Sequence, residues 1–259
     1  MPDKKVYITL FIILIVFFFV MFGLFGVRNI QENEFDATIV VGEDTTWVLH
    51  NRRWIYLRKS DSRIRVGGED FHVYDNNEEL GVYELKYNQK WKVRDKNKQE
   101  VEVSDNLLAY RANYQMKVLS YKESQVSDMT YVKKVLEDNQ LSVNNKFTSL
   151  YKIKVDFDND SKVEEFYVIS NAFPLDFEPD ETFSIAFMVK ENQIYYLYTD
   201  ISKFNSLNAC KPYYRSFIDI DYDNHYEVIL SCGRFSATNR VDMLYEFENN
   251  QFKLLISNQ

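Results

Sequence analysis

The sequence predicts a mostly β protein: an N-terminal transmembrane helix, a β-meander closing as a barrel or packing as a sandwich, one linking helix, then two four-stranded, blade-like repeats. Three observations predict it. The chain carries 19 Tyr and 20 Phe against 7 Gly and 4 Pro, and aromatic side chains suit the half-buried surface of a pleated strand. Short apolar runs alternate with polar turn residues through residues 36–122. A nine-residue acidic pattern then occurs twice in the last 110 residues, each copy between strand-like runs, which marks an internal repeat.

In chain order, residues 1–28 read as a cytoplasmic tip and an uncleaved anchor. Val6 to Val27 is a run of 22 residues without a charge. At about 1.5 Å per residue such a helix spans the ~30 Å hydrocarbon core. A cleaved signal would have a shorter apolar core and a small-residue cleavage site. Lys4 and Lys5 precede the span, whereas Glu32, Glu34 and Asp36 follow soon after it. That bias orients the N-terminus to the cytoplasm and the bulk outside. The expected location is a single-pass cell-membrane protein with an extracytoplasmic body.

Residues 29–35 form a polar stalk, and residues 36–122 the first β-rich domain. Its strands are expected at Ala37–Val41, Thr46–His50, Trp54–Arg58, Phe71–Tyr74, Gly81–Lys86, Lys90–Arg94, Glu100–Val103, Leu107–Arg111 and Gln115–Tyr121. Turn signals such as Asn51-Arg52, Asp75-Asn76-Asn77 and Asn88-Gln89 separate them. Residues 123–145 are the helix and linker. Ser127 is placed to cap a helix running to Asn139, with Met129, Val132, Val135 and Leu136 as its apolar stripe.

Residues 146–259 hold the repeat. The first acidic loop is Asp156-Phe157-Asp158-Asn159-Asp160-Ser161-Lys162-Val163-Glu164. The second is Asp219-Ile220-Asp221-Tyr222-Asp223-Asn224-His225-Tyr226-Glu227. Both read D-x-D-x-D-[S/N]-x-x-E. Four carboxylates in nine residues repel one another unless a cation offsets them, and carboxylate oxygens are the ligands Ca²⁺ prefers. Positions 1, 3 and 5 of a tight turn can converge on one point, the carbonyl of position 7 can join them, and the acid at position 9 can close the sphere. The candidate metal ligands are therefore Asp156, Asp158, Asp160 and Glu164 in one loop, and Asp219, Asp221, Asp223 and Glu227 in the other, for one or two Ca²⁺ ions. The bland alternative is a pair of solvated acidic turns. An EF-hand is excluded, because its closing Glu stands at position 12 and helices flank it.

This pattern between two strands resembles the calcium loop of FG-GAP and VCBS repeats, over residues ~150–257 alone. The resemblance implies blade-like four-stranded units, Ca²⁺ in the loops and a place at the cell surface. Each copy departs from the pattern at position 6, where Ser161 or Asn224 replaces the usual Gly. A second likeness supports the repeat: Val189-Lys190-Glu191-Asn192-Gln193-Ile194 and Phe247-Glu248-Asn249-Asn250-Gln251-Phe252 both suit hairpin tips. Two such units cannot close a propeller ring, so two packed sheets, or an open stack completed by N-terminal strands, are expected.

Charge separates the halves. Residues 150–259 contain 10 Lys and Arg against 18 Asp and Glu, a balance of −8 that equals that of the whole chain. Overall acidity argues against nucleic acid as a partner. The basic run Arg52, Arg53, Arg58, Lys59, Arg63 and Arg65 could instead meet anionic lipid or an anionic wall polymer, or be a solvated strand face. A surface protein or a glycan is an equally open partner; Trp47, Trp54 and Trp91 could stack on sugars or simply fill the core. Cys210 and Cys232 flank the second loop and read equally as a disulfide or as two buried thiols.

No catalytic motif is present: the three His residues lie in no metal-binding spacing, and there is no nucleophile elbow, Walker or dinucleotide pattern. The chain is therefore read as a binding or structural module. The alternative is an anchored cell-wall-active enzyme, such as a glycoside hydrolase, working with these same carboxylates. In that case two acids should face each other some 5–10 Å apart.

Overall fold

The computed structural model describes residues 35–258, apart from 43, 59–66, 89, 113–115, 173–180, 203–209 and 235–239. The expected anchor at Val6–Val27 lies outside these residues; among those described, no helix is long and apolar enough to cross a membrane. Among the described residues antiparallel strands dominate, with one α-helix.

The N-terminal sheet contains β1 (Ala37–Val41), β2 (Thr45–His50), β3 (Arg53–Leu57), β4 (Gly67–Asp75), β5 (Glu78–Asn88), β6 (Lys90–Arg94), β7 (Glu100–Val101) and β8 (Leu107–Ala112). Their order is β3-β2-β1-β8-β4-β5-β6-β7. A simple meander was expected; instead β8 is inserted between β1 and β4 and joins two short meanders. The sheet also curls. Trp91 Nε1 on β6 donates to Thr46 Oγ1 on β2 at 2.8 Å, although five strand spacings of ~4.8 Å separate those strands along the sheet. The enclosed face holds Val40, Val48, Phe71, Val73, Leu85, Trp91, Leu107 and Ala109. Trp47 and Trp91 are buried, so neither is available to stack on a sugar.

Two short strands follow, β9 (Lys117–Val118) and β10 (Glu123–Gln125), and then helix α1 (Thr130–Asp138). Val132, Val135 and Leu136 are its buried stripe. The expected cap is corrected: Ser127 makes no capping bond, and Asp128 accepts from the backbone N–H and hydroxyl of Thr130 at 2.9 and 2.7 Å. Asp and Ser are comparable as local acceptors, so spacing alone did not separate them.

Each of the two segments expected as repeats contains a four-stranded antiparallel meander. The first contains β11 (Ser149–Val155), β12 (Glu164–Ser170), β13 (Thr182–Lys190) and β14 (Gln193–Ser202). The second contains β15 (Cys210–Asp219), β16 (Glu227–Arg234), β17 (Val241–Glu248) and β18 (Gln251–Ser257). Each gains a fifth strand beside its first: β10 pairs β11, and β9 pairs β15. The expected linker supplies β10 and the end of the expected first domain supplies β9, and Phe35–Gln259 forms one compact unit.

The repeat sheets pack face to face over Ile153, Phe157, Phe166, Val168, Met188, Tyr214, Phe217, Val228 and Leu230. The opposite face of the second-repeat sheet meets the N-terminal sheet through Ile218, Ile229 and Leu244 against Ile39, Trp47 and Tyr110. The outer face of the first-repeat sheet is covered by α1. The second-repeat sheet is therefore buried on both sides, which explains its near-continuous apolar runs.

A bulge in β15 sets its facing. The register shifts between Tyr214 and Ser216, so Tyr214 and Phe217, three apart, enter the same core. The shift also pairs Cys232 with Pro212 rather than Tyr213, and brings Cys210 to a Cα–Cα distance of 5.4 Å from Cys232; the two are disulfide-bonded. Gly42 closes the turn into β2 at φ +60°, and a Cβ there would lie 2.2 Å from the Arg240 guanidinium.

Candidate metal centre

The two acidic loops join β11 to β12 and β15 to β16, the equivalent connection in each repeat. Their backbones match residue for residue. Position 4 is left-handed in both, at φ 57° for Asn159 and 64° for Tyr222; position 6 is at φ 68° for both Ser161 and Asn224. Glycine is the usual residue in this region, and Asn is tolerated better than Ser.

Three hydrogen bonds recur. The N–H of position 2 donates to the position 9 carboxylate: Phe157 to Glu164 Oε2 at 2.8 Å, Ile220 to Glu227 Oε2 at 2.9 Å. The N–H of position 6 donates to position 1: Ser161 to Asp156 Oδ2 at 3.1 Å, Asn224 to Asp219 Oδ2 at 3.2 Å. The N–H of position 7 donates to position 5: Lys162 to Asp160 Oδ1 at 2.8 Å, His225 to Asp223 Oδ1 at 2.7 Å. Position 2 is an apolar plug in each loop. Phe157 packs against Phe166, Phe217, Phe247 and Phe252 at centroid distances of 5.1–6.2 Å, while Ile220 enters the core against the N-terminal sheet. The loops also touch, through the Tyr226 N–H and the Phe157 carbonyl at 3.3 Å.

Carboxylate oxygens converge in both. In the first loop Asp156, Asp158 and Glu164 each offer an oxygen within 4.8 Å of the others; in the second, Asp219, Asp221 and Asp223 do so. Asp160 and Glu227 are not in these triads and are held by the backbone bonds just given. Opposite ligands of one ion at 2.3–2.6 Å are at most ~5 Å apart, so each triad fits a shared Ca²⁺. It is also tighter than the acid pairs of most glycosidases. One oxygen of each position 1 carboxylate, Asp156 Oδ1 and Asp219 Oδ1, is buried without a hydrogen-bond partner, as is Asp158 Oδ1. Asp219 is 0 % exposed. Buried carboxylate oxygens are normally satisfied.

The electrostatics follow from burial and crowding. Burial pushes the Glu227 carboxyl up to about 9 and raises Glu164 as well. Burial, followed by the charge of Asp223, raises Asp221. A metal ion would relieve each of these penalties.

Two features were not anticipated. Lys190, at the end of β13, pairs with Asp158 Oδ2, 32 residues away in sequence. Burial disfavours its charge, but the hydrogen bond and charge of Asp158 outweigh that and raise its pKa. Arg215, the bulge residue of β15, belongs to a buried polar cluster around Asp242. Its Nε donates to Ser231 Oγ at 2.9 Å, and Asp242 Oδ2 accepts from Thr45 Oγ1 at 2.6 Å and Arg240 Nη2 at 3.0 Å. This cluster joins the N-terminal sheet to the second repeat. Nothing in local spacing announces either feature; a basic residue beside apolar strand residues in each case was the available hint.

Comparison with protein-family models, with curated proteins and with solved structures finds no match for this chain.

Proposed function

We propose that the chain is a membrane-anchored, extracytoplasmic β-rich module that holds one or two Ca²⁺ ions at its paired acidic loops and binds or spaces a partner at the cell surface. The observation that carries the metal reading is Asp219. Its Oδ1 is buried, without a hydrogen-bond partner, and belongs to a convergent carboxylate triad. Desolvating a carboxylate oxygen without compensation is costly, and a hard cation is the compensation this donor set fits. Asp219, Asp221 and Asp223 would hold the ion, with the His225 carbonyl and Glu227 as further oxygens. Mg²⁺ fits less well, since it demands a tighter octahedron.

The uncharged Val6–Val27 run supports the anchor. The Cys210–Cys232 bond supports an oxidising compartment, where disulfides persist. The likeness to FG-GAP and VCBS loops rests on the loop residues, and the equivalent four-stranded meanders fit the blade-like units it implies. For the partner, a surface protein, a glycan or an anionic wall polymer suits a body exposed beyond the membrane.

Terbium luminescence tests the metal reading. Tb³⁺ added to the full-length chain in detergent should be sensitised through Tyr222 and Tyr226 and displaced by Ca²⁺; absence of any displaceable signal would contradict it. Protease treatment of intact cells tests the location, and a C-terminal body left uncut where a known surface protein is cleaved would contradict that part.

A further inference from the structure

We propose that the two loops are not equivalent cation sites: Lys190 is the built-in cation of the first loop, so only the second loop takes up Ca²⁺ from solution. This rests on the metal reading given above. Asp158 is one of the three residues whose oxygens converge in the first loop, and its Oδ2 is already engaged by the Lys190 ammonium. The Lys190 side chain is 19 % exposed, so this charge is not a solvated one resting nearby. A divalent ion on the same carboxylates would face that ammonium across a few ångströms of poorly screened space. Lys162 adds a second positive charge, with its Nζ 3.8 Å from Asp160 and 2.7 Å from Glu191.

The second loop lacks this arrangement, and the register shows why. Lys190 pairs with Gln193 across the β13–β14 turn, and Glu248 pairs with Gln251 across the β17–β18 turn. Both turns have two successive left-handed residues, Glu191-Asn192 and Asn249-Asn250. The residue equivalent to Lys190 is therefore Glu248, which carries the opposite charge and lies 4.0 Å from Lys253. Lys117 comes near the second loop, but it donates to the amide oxygen of Asn224 at 2.6 Å and lies over the Tyr222 ring. Among the described residues no lysine or arginine forms an ion pair with Asp219, Asp221 or Asp223; only the exposed His225 reaches Asp223. One repeat thus carries its counter-charge in its own sequence, and the other must take it from solution.

Equilibrium dialysis with ⁴⁵Ca²⁺ on the full-length chain in detergent reads the difference directly. The expected stoichiometry is one ion per chain for the natural sequence, two for Lys190→Gln, and one for Lys190→Arg, which keeps the positive charge. Asp221→Asn should bind none, and Lys190→Gln with Asp221→Asn should bind one, at the first loop. Two ions on the natural chain, or one on both the natural chain and Lys190→Gln, would overturn the proposal. If the natural chain binds none while Lys190→Gln binds one, the assignment of Lys190 stands and the metal reading of the second loop fails. If neither binds, both fail. Folding is checked separately: Lys190→Gln should melt lower than the natural chain in chelator and recover in Ca²⁺, whereas a variant that had lost only packing would not recover.

Discussion

The two acidic loops share a backbone and differ in surroundings. Positions 4 and 6 take the same left-handed conformation in both, and the same three backbone bonds hold the carboxylates. The first loop then meets Lys190 from the neighbouring hairpin; among the described residues the second meets no such partner. Its sheet also carries the disulfide and packs between the other two sheets, whereas the first-repeat sheet packs between the second-repeat sheet and α1. The lesson is that a local pattern of Asp residues specifies the frame, while the charge the frame sees is decided by strands remote in sequence.

The largest test of this contrast concerns the apolar plugs. Phe157→Ala should cost about 3–5 kcal/mol, because it empties a site surrounded by four rings; Ile220→Ala should cost about 2–4 kcal/mol. Denaturant unfolding of each variant measures the pair. Equal, small losses would mean that the loops are not anchored through position 2.

Next comes the bond found in the second repeat alone. Replacing Cys210 and Cys232 by Ala removes a constraint on a loop of 22 residues, and should cost about 2–4 kcal/mol. A dithiol reductant should lower the melting temperature of the natural chain in the same sense and leave the double variant unchanged.

A pH series sharpens the same contrast. Glu227 has its folded pKa raised to about 9 by burial. A raised folded value means stability fully present below the unfolded pKa and lost as pH rises toward the folded one. In chelator, the protein should therefore weaken steadily from about pH 4.5 to pH 9, and Glu227→Gln should flatten that slope. Thermal melting across this range in chelator is the measurement; a natural chain equally stable at both ends would contradict it.

The smallest expected effect is at position 6. Ser161→Gly should stabilise by roughly 1 kcal/mol, since Ser is strained at positive φ. Asn224→Gly should change little, because Asn already tolerates this conformation and the change removes the Lys117 hydrogen bond. Paired denaturant midpoints distinguish them.

Much of the fold was legible because its turns are. Asn51-Arg52 adopts a paired left-handed turn where the sequence marks it, so β2 and β3 lie within a residue of expectation. The strands around each Asp loop were equally legible, since aromatic and β-branched runs flank both. Pairing was not: period-2 alternation assigns a residue to a face but does not say which strand lies alongside, so the insertion of β8 between β1 and β4 was invisible. The acidic residues could be named from spacing, but Lys190 could not be assigned to Asp158. That contact depends on β13 ending beside the first loop, a consequence of three strands' registers. The Cys pair stayed open for a similar reason, because a one-residue bulge at Arg215 decides which residues face each other.

The most direct measurement is the thermal melt of the full-length chain in detergent, in Ca²⁺ and in chelator, for the natural sequence, Asp158→Asn and Asp221→Asn. At ~100 Kd of free ion a single site adds about 2.7 kcal/mol. That rise is expected for the natural chain, with retention in Asp158→Asn and loss in Asp221→Asn. Coincident curves for the natural chain at millimolar ion, or an equal loss in the two variants, would contradict it.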